Sequence, residues 1–423
     1  MDYAGACAAL GALEGLGMKL GLERIEALLT TLGNPHRGLR GVLVAGTNGK
    51  GSVCALVESM ARAAGRRTVL LTKPHLLSWC ERIAVDGQPV TEQRFADLIA
   101  ETLEGAARMD PDLGSPTVFE VVTAAGIVAA RHARPDLLVC EVGLGGRLDS
   151  TNVLDLGVAV VTSIGIDHRD QLGDDPETIA AEKAAIVKPG NDVLTAAAGI
   201  TLAVIRAAAE RAGAASFAAL DADLPWRGQD RGRDGVAVEI ESPRLRLASP
   251  LLGAFQQRNL ALAAHVARVL DRHGVAIPDE AVGRGAATVR WPGRMQWLDG
   301  SPALLVDGCH NPEAVAAMVA AAAPLCRGRR TVVVFGAMAD KDVGAMLAAL
   351  RPLGDEVVFT AAATGRAVPP ASLLSLWGDG ARSGPDVGSA LTLARGLAGE
   401  RGVVVACGSL YVAGEALAAA HAT

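Results

Sequence analysis

The chain has 423 residues, a formal net charge of −6, 50% hydrophobic residues and 20% charged ones, a length sufficient for two or three domains and a composition that excludes a disordered chain. No basic run breaks the acidic balance, no apolar run reaches membrane-spanning length and no positively charged region precedes an apolar stretch at the N-terminus, so neither nucleic acid nor membrane is expected as a partner. Aromatic residues are only 3%, which leaves Ala, Val and Leu to build the cores, and the seven cysteines (Cys7, Cys54, Cys80, Cys140, Cys309, Cys326, Cys407), odd in number and without a CxxC pair, read as small core residues of a reducing cytoplasm.

A helical segment around Leu22–Leu32 comes first. The first strand candidate follows at Gly41–Ala45, apolar and β-branched as a buried parallel strand is, and apolar residues return at helical spacing from Val53 to Ala64. Between strand and helix the residues Gly46, Thr47, Asn48, Gly49, Lys50, Gly51 and Ser52 read as a phosphate-binding loop. Its three glycines let backbone N–H groups turn toward a polyphosphate at a helix N-terminus, Lys50 reaches the outer phosphates and Ser52 ligates Mg²⁺. The stricter pattern GxxxxGK(S/T) is not met, because Val44 occupies its first glycine position and Gly51 separates lysine from hydroxyl. The bland alternative is a glycine-rich turn without a ligand.

Strand candidates recur at Thr68–Leu71, Leu137–Glu141, Val158–Thr162 and Val193–Thr195, with helical patterns between most of them, which predicts a mainly parallel sheet with helices on both faces. Ligands of such sheets bind at the carboxyl ends of the strands. Glu141 stands at one of these ends, before a glycine-rich loop carrying Arg147 and Asp149, and is a candidate Mg²⁺ ligand; a helix cap or buried ion pair is the competing reading. The next strand leads to Asp167 and His168 at the same edge, where the histidine is either a metal or phosphate contact or a satisfied structural residue. Lys183, beside Glu182 on a helix rich in Ala and Ile, reads by spacing alone as a solvated or snorkelling side chain. From Val236 to Leu247 apolar and charged residues alternate, as in a peripheral hairpin or edge strands.

Trp291–Ser301 (WPGRMQWLDGS) collects Pro, Gly and two Trp and marks the expected boundary between a first domain, 1–293, and a second, 294–423. Strand candidates Ala303–Asp307, Thr331–Phe335, Glu356–Thr360 and Val403–Cys407 then alternate with helices from about Pro312, Asp342, Asp386 and Leu410, a smaller α/β domain. In DGCHNPEA, Asp307 closes a strand, His310 lies in the loop, and Pro312 suits a first helical turn; Asn311 either caps that helix locally or belongs to a site in which Asp307 and His310 face the phosphate loop across an interdomain cleft. Lys50, Arg82 and Arg294 are the local cations available to an anionic ligand.

These residues resemble the folylpolyglutamate synthase and dihydrofolate synthase family, relatives of the Mur ligases. The matches run nearly end to end: LGLERI (Leu20–Ile25), LGNP (Leu32–Pro35), AGTNGKGS, PHL and ERI within Pro74–Ile83, TVFEVVTAA (Thr117–Ala125), EVGLGGRLDSTN, TSIGIDH, AAEKAAIVKPG, PGR (Pro292–Arg294), DGCHNPEA, VFGAMADKD (Val334–Asp342) and CGSLYVAG (Cys407–Gly414). The resemblance implies a P-loop, Mur-ligase-like domain with a mainly parallel sheet, followed by a Rossmann-like α/β domain. The implied activity is an ATP-dependent amide ligase that phosphorylates a pteroate or folate carboxylate and lets the amine of L-glutamate displace phosphate. It also implies ATP contacts from Asn259, Arg294 and Asp307 besides the loop, Mg²⁺ held by Ser52, Glu141 and His168, a carbamylated Lys183 serving the same metal, catalytic roles for Lys50, Lys183, His168 and His310, and substrate contacts from Leu20, Gly21, Leu22, Arg82, Thr117, Phe119, Asp149 and Ser409. A cytoplasmic monomer is expected.

Two positions depart from the family pattern. Lys73-Pro74-His75 stands where Ser-Pro-His is usual, placing an ammonium where a hydroxyl would ligate Mg²⁺ and suggesting a phosphate contact instead; Phe255 replaces the histidine of a GxHQxxN motif that ends at Asn259. A related ligase acting on another carboxylate, and a nucleotide-binding switch that forms no product, are the competing functions.

Overall fold

The computed structural model describes the chain except residues 16, 18, 168–171, 242–243 and 422–423. It forms two compact units: Met1–Trp226, Glu239–Leu247 and Asn259–Thr288 make the first, and Arg227–Val238, Ala248–Arg258 and Val289–Thr423 the second. The second unit therefore begins its continuous stretch at Val289 and takes two earlier pieces from within the range 1–293.

In the first unit β1 (Gly41–Ala45), β2 (Thr68–Leu71), β3 (Ile83–Val85), β4 (Gln88–Pro89), β5 (Leu137–Glu141), β6 (Gly157–Val161), β7 (Asp192–Thr195) and β8 (Ser216–Ala219) form one sheet of order β4-β3-β2-β5-β1-β6-β7-β8. All pairings are parallel except β2–β3 and β3–β4. Every residue of β1, β2 and β5 is buried, which is why these strands read as continuous apolar runs and not as alternation. Register sets Val44 of β1 opposite Glu141 of β5 and Val160 of β6, so the loop after β1 leaves the sheet between two strand ends.

The helix Lys50–Ala63 packs on the helix Asp279–Thr288 at a backbone-to-backbone approach. A Cβ on Gly285 would lie 2.5 Å from the Met60 nitrogen, and Ser59 Oγ donates to the Gly285 carbonyl at 2.8 Å. Phe95, Leu28, Leu29, Val121, Ile127 and Leu138 belong to the core on the sheet's other helical layer.

Over the alternating stretch the expected strands are present as the neighbours β10 (Val236–Ile240) and β11 (Leu245–Ser249), joined by β9 (Trp226–Asp230) into a separate three-stranded sheet; Val236, Val238 and Ile240 are its buried alternate residues. The second unit holds β12 (Gln296–Leu298), β13 (Ala303–Val306), β14 (Thr331–Phe335), β15 (Glu356–Phe359), β16 (Ala381–Ser383) and β17 (Val403–Cys407) in the order β12-β13-β17-β14-β15-β16, parallel apart from β12. Phe335, Phe359 and Trp377 meet edge to face in its core, with centroids 6.3 and 5.7 Å apart. Because β13 and β17 are neighbours, Asp307 and Ser409, which follow them, share the carboxyl edge.

Candidate active site

The loop between β1 and the helix Lys50–Ala63 needs glycine at two positions. Gly46 has φ 144° and Gly49 φ 87°; a Cβ on the first would lie 1.8 Å from Thr162 Oγ1, and on the second 2.6 Å from Asn259 Oδ1. Asn259 thus sits on the loop itself. From the β6 side, Thr162 Oγ1 donates to the Asn48 carbonyl at 2.7 Å and Ser163 Oγ to the same oxygen at 3.2 Å, while Thr47 Oγ1 donates to the Gly165 carbonyl at 2.9 Å. The Thr162 and Ser163 hydroxyls were not foreseen as supports of the loop. The available signal was their position in TSIGIDH, at the carboxyl end of the strand beside β1. Lys50 Nζ donates to the Gly46 and Thr47 carbonyls, each at 3.0 Å, and Ser52 is buried in the helix's first turn. The loop is a cradle of N–H groups and one ammonium at a helix N-terminus, the arrangement that holds a phosphate chain.

Glu141 is buried at the end of β5, and its Oε2 accepts the Lys73 N–H at 3.1 Å. The Ser52 hydroxyl and Glu141 carboxylate are hard oxygen donors, and among the described residues no group of three or more His, Cys, Asp or Glu side chains converges. Such a donor set fits Mg²⁺, which takes few protein ligands and completes its shell with phosphate oxygens and water. His168 lies outside the described residues. Lys183 is not the solvated side chain that spacing suggested: it is 5% exposed beside the buried Ala180 and Ala184. Burial foremost, and then the charge of Lys50, bring its amine down to about 7 against the pull of Asp167, Asp149 and Glu182. A Cβ on Gly146 would meet the Glu182 carbonyl at 2.5 Å, so the glycine loop after β5 lies directly on the helix carrying Lys183; Arg147 Nε pairs with Glu182 there at 2.8 Å.

Among the expected substrate residues of the first unit, Phe119 and Asp149 meet at Gly143, and Thr117 is tied to the LGLERI segment through Glu120. Thr117 caps the helix Val118–Ala133 in a capping box with Glu120, and Arg24 Nε reaches Glu120 at 3.1 Å, tying the LGLERI segment to TVFEVVTAA. Leu20 is exposed, Leu22 packs against the core, and Gly21 has φ 133°. Asp149 is committed to its loop, accepting from Gly143 N, Leu144 N, Thr151 N and Thr151 Oγ1 at 2.5–3.0 Å. The Phe119 ring lies against Gly143, where a Cβ would be 2.6 Å away. Arg82 Nε donates to His75 Nδ1 at 3.0 Å and its guanidinium stacks 4.3 Å from the Trp79 centroid. The Lys73 ammonium is 4.2 Å from the Phe119 centroid and 3.2 Å from Thr123 Oγ1.

In the second unit the buried Asp307 accepts Met295 N–H and Cys309 N–H, both at 2.8 Å; burial raises its carboxyl while the Arg294 charge opposes that. Arg294 also donates to the Gly308 carbonyl at 3.4 Å, and His310 Nδ1 lies 3.0 Å from the same oxygen. Asn311 caps the helix Pro312–Cys326, and the buried Ser409 accepts Val412 N–H at 3.1 Å. Phe255 packs against the second unit's core, its ring 2.8 Å from where a Gly253 Cβ would be, four residues before the Asn259 that serves the phosphate loop.

Residues 44–267 match the Mur ligase middle domain and 293–410 the Mur ligase glutamate ligase domain. A phosphate loop in a parallel sheet followed by that second domain defines the chain as a Mur-type ligase. The dihydrofolate synthase/folylpolyglutamate synthase of Bacillus subtilis is 35% identical over 349 residues, 81% of each chain. The probable bifunctional folylpolyglutamate synthase/dihydropteroate synthase of Haloferax volcanii is 36% identical over 98% of this chain, which spans 50% of that longer protein. The structure of bifunctional folylpolyglutamate synthase/dihydrofolate synthase from Yersinia pestis, complexed with AMPPNP and Mn ion, superposes with a TM-score of 0.87 at 31% identity, covering 100% of this chain and 98% of that one. The chain belongs to the folylpolyglutamate synthase/dihydrofolate synthase family of ATP-dependent ligases.

Proposed function

We propose that the protein joins L-glutamate through an amide bond to a pterin-bearing carboxylic acid, dihydropteroate or a folate, in folate biosynthesis. The observation that carries this reading is the loop held open at Gly46 and Gly49, with Lys50 inside it and Glu141 one strand away, in a chain of this family. An oxygen of the acceptor carboxylate attacks the γ-phosphorus of ATP, the bond to the bridging oxygen breaks, and ADP leaves behind an acyl phosphate. The glutamate amine then attacks the acyl carbon, loses a proton and expels inorganic phosphate. Lys50 and the loop N–H groups offset charge on the transferring phosphoryl group. Mg²⁺ bound by Ser52, Glu141 and His168 would supply further charge neutralisation there.

Lys183 fits a carbamate. A buried amine brought to about 7 has a substantial neutral fraction near neutral pH, and a neutral amine adds CO₂ with loss of a proton to give an anionic group suited to a metal. Asn259, Arg294 and Asp307 are assigned to ATP, His310 to catalysis, and Ser409, Arg82, Thr117, Phe119, Asp149 and Leu20–Leu22 to the acceptor and glutamate. The working form is assigned as a cytoplasmic monomer; its seven cysteines are all thiols.

The test is an ATP-dependent ligation assay with tritiated glutamate offered dihydropteroate, tetrahydrofolate and a Mur-type acceptor in parallel. One ADP per amide bond with a pterin acceptor is expected. Product with the third acceptor alone would assign a different ligase, and ATP turnover without glutamate incorporation would leave only a nucleotide switch.

A further inference from the structure

Among the described residues, Lys73 is a cation beside the candidate metal ligand Glu141 whose setting the reaction described above does not use. Lys50 is bound to the loop carbonyls, and Lys183 is buried with its amine brought down to about 7. Arg82 is seated on His75 and Trp79. Lys73 differs from all three. Its backbone N–H holds Glu141 Oε2, which fixes its Cα beside the candidate metal ligand. Its ammonium turns onto the helix Val118–Ala133, where it finds the Thr123 hydroxyl and the face of Phe119. Both partners are neutral, and among the described residues no carboxylate pairs with it. A half-buried ammonium held only by a hydroxyl and a ring retains donors for an anion, because a charged acceptor is worth more to it than either neutral partner. Phe119 has the ammonium 4.2 Å from its centroid, and its ring edge lies against Gly143 of the loop after β5. The residue therefore links the two sets, its backbone on the carboxylate assigned to the metal and its ammonium on a residue assigned to the pterin side.

We infer that Lys73 seats the carboxylate of the acceptor, the group that becomes phosphorylated, by a direct ammonium–carboxylate contact above Phe119. This rests on the acceptor class proposed above and adds a positioning role for a residue of this chain. Two anions, a carboxylate and the γ-phosphoryl group, must approach each other for the first step, and a cation on the carboxylate side lowers that repulsion before any nucleotide is present.

The test is acceptor binding without ATP or Mg²⁺, measured by equilibrium dialysis with dihydropteroate and with its carboxamide, on the native protein, Lys73→Met and Lys73→Arg. The native protein should prefer the acid, and Lys73→Met should weaken acid binding by about tenfold to a hundredfold while leaving the carboxamide and ADP unchanged, the range expected for one charge-assisted hydrogen bond. Lys73→Arg should recover most of the acid binding, which a purely structural role would not predict for a side chain of different shape. Equal loss of acid and carboxamide in Lys73→Met, or a loss confined to ADP, would overturn the inference. Native protein that binds the pterin without distinguishing acid from carboxamide removes the inference alone. Native protein that binds neither removes the acceptor assignment and the inference with it.

Discussion

Lys50 and Lys183 show how burial divides two identical side chains. Lys50, at a helix N-terminus, donates to two carbonyls, whereas Lys183, packed among alanines and repelled by Lys50, is brought down to about 7. Lys50→Ala should therefore abolish ADP formation while circular dichroism stays unchanged; near-normal turnover would remove the phosphate-loop assignment. Lys183→Ala should be inactive and recover in part with acetate, which replaces a carbamate's charge; full activity without any additive would show the residue to be structural. Glu141→Ala should lose activity that extra Mg²⁺ restores only partly, read from initial rates across a metal titration. His75 and His265 are shifted in the same direction as Lys183. Burial first, then a neighbouring arginine in each case, lowers both from 6.5 to about 4. Between those values the unfolded chain binds protons that the folded chain refuses, so their contribution is intact above about pH 6.5 and falls as pH drops toward 4. Denaturant midpoints measured from pH 7.5 down to 4.5 should fall over that window, and less so in His75→Gln.

At the scale of elements, the strand–loop–helix around Gly46 was legible because three signals agree there: a continuous apolar run, glycines where φ is positive, and helical spacing behind. β1, β2 and β5 have the bounds the sequence suggests for the same reason, each being buried on both faces. β3 and β4, three and two residues long, are too short for any period to register, and they form an antiparallel edge that a reading tuned to crossovers passes over. The helix Tyr3–Glu14 was missed because its small residues give little contrast between faces. Lys183 was misread because spacing reports which residues share a helix face and not what packs on that face. The tie between LGLERI and TVFEVVTAA is a long-range pair, Arg24 with Glu120, that no local pattern announces. Arg24→Ala leaves the buried Glu120 carboxylate without its cation, and the capping box alone then has to hold that corner. A loss of about 2–4 kcal/mol is expected, since breaking a buried pair strands a charge. The acceptor KM should rise with it while ADP affinity stays; an unchanged denaturation midpoint would show that water replaces the guanidinium at no cost.

For the whole molecule, the consequence follows from two separate cores. Phe95, Val121 and Leu138 belong to one, and Phe335, Phe359 and Met318 to the other, each within its own compact unit. Chains built this way depart from two-state unfolding. Calorimetry should resolve more than one transition, with a calorimetric enthalpy above the van't Hoff value. A nucleotide bound only to folded protein stabilises what it contacts by about 2.7 kcal/mol at a hundredfold excess over its Kd. AMPPNP should therefore raise the transition of the unit that holds the phosphate loop, and Lys50→Ala should cancel most of that rise. Arg294 and Asp307, assigned to ATP, lie in the other unit, so the second transition should rise as well, and Arg294→Ala should reduce that second rise while leaving the first largely intact. A second transition indifferent to nucleotide in the native protein would withdraw Arg294 and Asp307 from the ATP contacts and leave binding to the first unit alone.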